Sequence, residues 1–401
     1  MLVLYNLPPF PEPPDKLESV RAFRRHSAFP VSLVNTWYGP HPGLEDQRFQ
    51  VIVLHYTLFY DGLQPFEPVI DYLRTRPADC VVALFQDEQA HGRERARVCE
   101  EAGVDLVYTT LQPPYSHEIW GGLSGSPRLV TYIPGYVSER LRRAGRLYGR
   151  PDRLRTIDVG YRGRRPPPEW GPVAAEKYDI AVAFERGAAG TGLRLDIETT
   201  EASRFHGNAW YRFLGRCRGT LGVEGGASTI DIEGKLDRAA HSISDRTSAA
   251  RLAAGAAPVG RPVHYRAISP RHLEAAALET AQILFEGEYS GCLEPDVHYL
   301  PLRKDFSNLD EVLERFRDRA ERRELVRRAR ADLIDSGEWS YERFVRGVDA
   351  ELADLGVRPR GDTDRRARDR ALFPARFRAR RALRAGRLKA EWRVRRLLGR
   401  A

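Results

Sequence analysis

Along this chain, short apolar blocks are separated by longer amphipathic stretches, the pattern of strands threaded with helices. Gln50–Leu54, Cys80–Phe85 and Asp105–Thr109 predict core strands, because each is short, apolar and flanked by polar residues. Between them, Phe66–Arg76 and His91–Ala102 read as helices, the second closed by Gly103. This order predicts an α/β layer with parallel strands. A Gly- and Ser-rich loop at Gly121–Pro127 follows, and a second α/β block opens near Arg155. There, Thr156–Val159 reads as a strand, and Pro166–Pro168 forbids helix. Ala174–Ala189 and Asn208–Cys217 predict helices, and Gly219–Val223 a strand ending in a Gly-Gly loop. Ser269 and Pro270 open a further helix as N-cap and first helical residue, with Leu273, Ala276 and Ala277 on one face. Gln282–Phe285, followed by Gly287, reads as a buried parallel strand. Leu309–Ser336 is a charged helical stretch, and Tyr341–Leu355 an amphipathic helix stopped by Gly356.

A length of 401 residues exceeds one core, so two domains are expected: 1–150 and 151–340, with a closing helix over 341–357. The chain has no apolar run of about 18 residues, which argues against a membrane-spanning helix. The opening MLVLYNLPPFPEPP lacks a basic start and a long apolar region, so no signal peptide is expected. Cys80, Cys99, Cys217 and Cys292 are scattered and form no zinc-type pair, so reduced thiols in a cytoplasmic protein are expected. Residues 358–401 hold 17 Arg or Lys against 4 Asp or Glu, so the body over 1–357 is near −4 (+9 less +13). In this tail Phe373 and Phe377, and Leu388 and Trp392, are each four apart among arginines, which predicts peripheral contact with an anionic membrane surface. A solvated arm is the alternative. Nucleic acid is the weaker one, because the body is slightly acidic.

The runs RHLEAAA at 271–277, YSGCLEP at 289–295, HYLPL at 298–302 and KDFSN at 304–308 resemble the donor-sugar half of group 1 glycosyltransferases. The resemblance is closest to the branch of spore-maturation CgeB-like proteins. FQDEQ at 85–89, DVGYRGR at 158–164 and FLGRCRGTLGVEGGAS at 213–228 extend it over roughly residues 50–355. It implies the GT-B plan, two Rossmann-like domains facing a cleft, and transfer of a sugar from a nucleotide-sugar donor to a glycan or lipid-linked acceptor. It also implies that Glu274 contacts the donor ribose, and that Arg162 and Arg164 face the cleft from the turn after the first donor-domain strand.

The chemistry of such a donor calls for a carboxylate on the ribose diol and donors on the diphosphate. Backbone N–H groups at Gly225, Gly226 and Ser228 and at the helix start after Ser269 are candidates for the diphosphate, with Arg162, Arg164 and Arg271 adding charge. His55 closes one strand and is a candidate base, with a buried, satisfied histidine as the alternative. Asp87 and Glu88 close another strand and are candidates for the acceptor hydroxyls or for capping the next helix; His117 is a further acceptor candidate. Two departures from the family pattern stand out. Arg266 occupies the position eight before Glu274 where relatives carry a glutamate, so Glu224 is the candidate for that role, and Glu279 stands where a glycine is usual. Asp231-Ile232-Glu233 lacks the context of a metal pair, so neither metal nor cofactor beyond the donor is expected. The alternatives are a non-catalytic binding protein on a degenerate scaffold and another nucleotide-sugar enzyme such as an epimerase.

Overall fold

The protein's computed structural model describes residues 1–9, 14–39, 43–44, 46–59, 67–75, 78–166, 170–205, 207–232, 262–360, 369, 372 and 381–391. Pro167, Pro168, Glu233, Phe373, Phe377 and Trp392 lie outside them.

Two Rossmann-like domains face each other. The first is built on β1 (Leu2–Tyr5), β2 (Ser32–Asn35), β3 (Val51–Leu54), β4 (Cys80–Leu84), β5 (Leu106–Thr109) and β6 (Arg128–Thr131). All six run parallel in the order β2-β1-β3-β4-β5-β6. Successive residues of these strands enter opposite cores: Leu2, Leu4, Ile52 and Leu54 on one face, Val3, Val51 and Val53 on the other. Burial on both faces explains why β3 and β4 read as unbroken apolar runs, whereas the edge strand β6 is exposed at both ends.

The second sheet contains β7 (Ile157–Arg162), β8 (Leu195–Glu198), β9 (Cys217–Gly222), β12 (Ala281–Phe285) and β13 (Leu300–Leu302). Its parallel order is β13-β12-β9-β7-β8. Between β9 and β12, β10 (Gly225–Thr229) and β11 (Pro262–Ala267) pair antiparallel. The expected Gly-Gly loop is therefore a strand. Gly226 has φ of +141°, and a Cβ there would run into the Tyr265 carbonyl, so only glycine lets the two strands close.

Two expected helices are shorter than their sequence pattern. The helix Asn208–Leu214 stops three residues before Cys217, which opens β9 instead. The stretch 309–336 breaks at Asp318, whose carboxylate leaves Leu309–Arg317 and caps Arg319–Arg330 by accepting from Ala320 N at 2.7 Å.

Helix Tyr341–Asp354 crosses back to the first domain and buries Phe344, Val345, Val348 and Leu352 against its sheet. The basic tail also returns there. Leu372 is fully buried beside Leu2, Leu4 and Ile52, and Asp369 accepts from Ser32 Oγ at 2.9 Å. Residues 381–391 are helical, with Arg381 over the Tyr38 ring and Arg384 over Trp37. Among the described residues no helix is long and apolar enough to cross a membrane. All four cysteines are buried and unpaired.

Candidate functional site

A cleft of about 230 Å³ opens at the carboxyl ends of the second sheet, where open α/β sheets bind ligands. Its floor is the start of helix Pro270–Ala277, which brings in Ser269, Arg271 and Glu274. One wall is aromatic, from Phe205, Trp210 and Tyr211; the opposite rim is Asp15, in the first turn of helix Pro14–His26 of the other domain.

Glu274 accepts a hydrogen bond from Trp210 Nε1 at 2.8 Å. Burial pushes its carboxyl up to about 7, and the nearby Asp15 carboxylate adds to this against the donors Trp210 and Tyr211 and the Arg271 charge. Arg271 lies over the Trp210 ring at 5.0 Å and donates to the Arg162 carbonyl. Arg162 is nearly buried. It donates to the Asp196 carboxylate at 2.6 Å and stacks over Phe213 at 4.3 Å, while its Nε has no partner.

Arg164 is exposed beyond β7 and interacts electrostatically with Lys177 of helix Gly171–Gly187. The pKa of Lys177 is lowered by desolvation, opposed by Asp87 of the first domain and reinforced by Arg271 and Arg164. Asp87, Arg271 and Arg164 thus all act on the Lys177 charge, and a Cβ added at Gly225 would lie 3.9 Å from Lys177 Nζ.

Behind this group, Arg266 makes two 2.8 Å bonds to Glu176, and Lys304 adds a third at 2.9 Å. Burial acts to raise the Glu176 carboxyl, yet the hydrogen bonds from Arg266 and Lys304 hold it below its ordinary value. Glu224, 3% exposed, accepts from Tyr289 N at 2.8 Å and lies 3.6 Å from Arg266; burial raises its carboxyl.

No protein-family model matches this chain, and no curated protein matches it. Among solved structures, an alpha-glucosyltransferase (AGT) in complex with UDP is similar at a TM-score of 0.53 and 10% identity, over 88% of this chain and 100% of that one. An alpha-glucosyltransferase in complex with UDP and a 13-mer DNA containing a HMU base gives 0.53 and 11%, over 88% and 99%. Anabaena Alr3699/HepE in complex with UDP and glucose gives 0.50 and 10%, over 88% and 100%. The fold is GT-B.

On this GT-B frame the candidate residues separate by position. Glu274, Arg271, Ser269 and Arg162 line one cleft, and Arg164 and Asp87 both interact with Lys177. Ser269 occupies the N-cap position of its helix, but its side chain makes no capping bond. Ser228 is turned elsewhere: its Oγ accepts from Val173 N at 2.9 Å and caps the helix that carries Lys177. Gly225 and Gly226 belong to a hairpin that straps the two domains together. Tyr265 of that hairpin meets Thr110 of the first domain at 2.7 Å, and Asp231 N donates to Gln89 O at 2.7 Å.

Two candidates on the first domain, His55 and Glu88, are corrected, and His117 is placed away from the cleft. His55 is fully buried, with Nε2 3.0 Å from Ser19 Oγ and Nδ1 3.0 Å from Thr57 Oγ1; burial pushes its pKa down to about 3. It is a neutral core histidine, not a base for an incoming hydroxyl. Glu88 is equally enclosed, accepting from Thr109 Oγ1, Thr110 N, Thr110 Oγ1 and Trp120 Nε1 at 2.6–2.8 Å. Those four donors leave it nothing to offer an acceptor. His117 is exposed in the short helix Tyr115–Trp120 and lines none of the cleft above.

Lys177 is the residue that sequence reasoning passed over. A usable signal existed: only Lys16, Lys177, Lys235, Lys304 and Lys389 among 64 basic residues are lysines.

Proposed function

We propose that this chain is a glycosyltransferase that takes a sugar from a nucleoside-diphosphate donor, with Glu274 as the ribose-binding carboxylate. The observation that carries the reading is the single cleft in which Glu274, an aromatic wall and the Arg271 guanidinium meet. Trp210 and Phe205 offer faces for a base, and Glu274 accepts from the ribose diol. Lys177, Arg164 and Arg271, with the unpartnered Nε of Arg162, neutralise the diphosphate. Their charge stabilises the leaving diphosphate as an acceptor hydroxyl attacks, in the place a divalent cation would otherwise take. Asp87 faces this group from the other domain and receives the acceptor hydroxyl. UDP in the structures of the neighbours supports a uridine donor. The CgeB-like motifs and the basic tail support a glycan or lipid-linked glycan acceptor at an anionic inner membrane surface.

A second reading, a donor-binding scaffold without turnover, is favoured by one observation. Arg266 holds the position of the family's first glutamate and is clamped by Glu176, while Glu224 is enclosed by Gly287, Tyr289 and Arg266.

The test of the donor site is a thermal-shift screen against nucleoside diphosphates. A ligand at 100 times its Kd adds about 2.7 kcal/mol of stability. UDP is expected to raise the midpoint of the parent and much less that of Lys177→Ala. No response to any nucleotide from a folded sample would refute the reading.

A further inference from the structure

On the far side of the second domain lies a larger basin, of about 780 Å³, lined by nine arginines against four carboxylates. Its position follows from Arg155. That guanidinium donates to the carbonyl of Cys217, the first residue of β9, and to Leu278 O and Thr280 Oγ1 just before β12. The basin therefore sits at the amino ends of the strands, opposite the donor cleft.

The carboxylates are already engaged. Asp152 is shared by Arg218, Arg319 and Arg322, Glu279 and Asp335 both pair with Arg330, and Glu324 holds Arg327. Arg150, Arg153 and Arg323 are exposed and have no acidic partner among the described residues, and Arg319 reaches Asp152 only at 3.6 Å. Arg155, 4% exposed, is held by carbonyls and a hydroxyl rather than by a carboxylate. Burial pushes its pKa down to about 10, the mark of a charge with too little compensation.

The helix Arg319–Arg330 makes the arrangement deliberate in sequence terms. Arg319, Arg323, Arg327 and Arg330 recur at helical spacing on the face turned to the basin, although like charges at that spacing oppose a helix. A net of five positive charges (nine less four) collects in one concavity.

We propose that this basin is a second binding site, for a compact, multiply charged phosphate ligand distinct from the sugar donor. Guanidinium forks match phosphate oxygens bidentately, and the concavity has the size of a small-ligand site. A free polyphosphate and a phosphorylated lipid headgroup share this chemistry. A half-open concavity favours either over the extended backbone of a nucleic acid.

The experiment is calorimetric titration of the full chain with inorganic tripolyphosphate. The expected result is binding that weakens by about tenfold or more when Arg319 and Arg323 are both changed to Glu. The milder pair Arg150→Gln and Arg153→Gln weakens it too, and an excess of UDP, which occupies the donor cleft, leaves it unchanged. Phosphatidylcholine vesicles carrying a phosphorylated inositol lipid identify the source: competition with tripolyphosphate assigns a lipid headgroup, and no competition a soluble ligand. The proposal is overturned if nothing binds, if the basin variants bind as the parent does, or if an excess of UDP abolishes the binding. A DNA oligonucleotide that binds more tightly than tripolyphosphate through the same arginines would also overturn it.

Discussion

Glu274 lines the cleft and Lys177 lies beside Gly225 on a different helix, and each has its charged form disfavoured by burial. For Glu274 the sign of the pH dependence is definite. Its folded carboxyl titrates near 7 and its unfolded one near 4.5, so the folded state holds more protons between those values. The contribution of this group to stability therefore falls as pH rises through that window and is level above it. Glu274→Gln removes the effect, so the variant is expected to gain on the parent in denaturant midpoint from pH ~4.5 to pH ~7. Binding of UDP runs the other way, because a ribose diol needs the deprotonated acceptor. Affinity is expected to rise with pH through about 7 in the parent and to stay flat and weak in Glu274→Gln; a parent titration that is flat would remove Glu274 from the ribose role. The place of Glu274 in the cleft was legible in the sequence because a contiguous helical motif surrounds it. Lys177 was not, since it reaches the site from a helix that follows a different strand. His55 was a candidate base and Glu88 a candidate for acceptor hydroxyls because they end strands; enclosure by Ser19 and Thr57, or by Thr109, Thr110 and Trp120, is set by distant sequence.

At the scale of elements, the apolar pattern located β3, β4, β5 and β12 to within two residues at either end, because strands buried on both faces are mostly apolar. It failed at β10 and β11, where glycine and polar residues pair through backbone bonds and the hairpin is buried against the other domain. That hairpin also explains Ser228. Rather than cradling phosphate from a loop, it caps the third residue of helix Gly171–Gly187 from a separate strand. Ser228→Ala is expected to cost about 1 kcal/mol of stability, measured by chemical denaturation, and to weaken UDP binding through the displaced Lys177 helix. A variant as stable as the parent would show that the cap contributes nothing.

For the whole molecule, the ties between the two domains among the described residues include the β10–β11 pair, helix Tyr341–Asp354 and an apolar cluster that joins Val137 and Leu141 to Leu273 and Leu333. The tail adds a further element to the first domain. Composition alone set it apart as a basic arm, yet Leu372 is buried in the sheet core and Asp369 bonds Ser32. Removing residues 358–401 is therefore expected to lower the thermal midpoint, as an arm free of the body would not. Sugar transfer is tested most directly by incubating the full chain with UDP-glucose and other UDP-sugars and following released UDP by chromatography. The account predicts steady release from at least one UDP-sugar, lowered by about a hundredfold or more in Glu274→Gln while that variant remains folded. Release no faster than in buffer from every UDP-sugar, by a protein that binds UDP, would contradict it and leave the donor-binding scaffold.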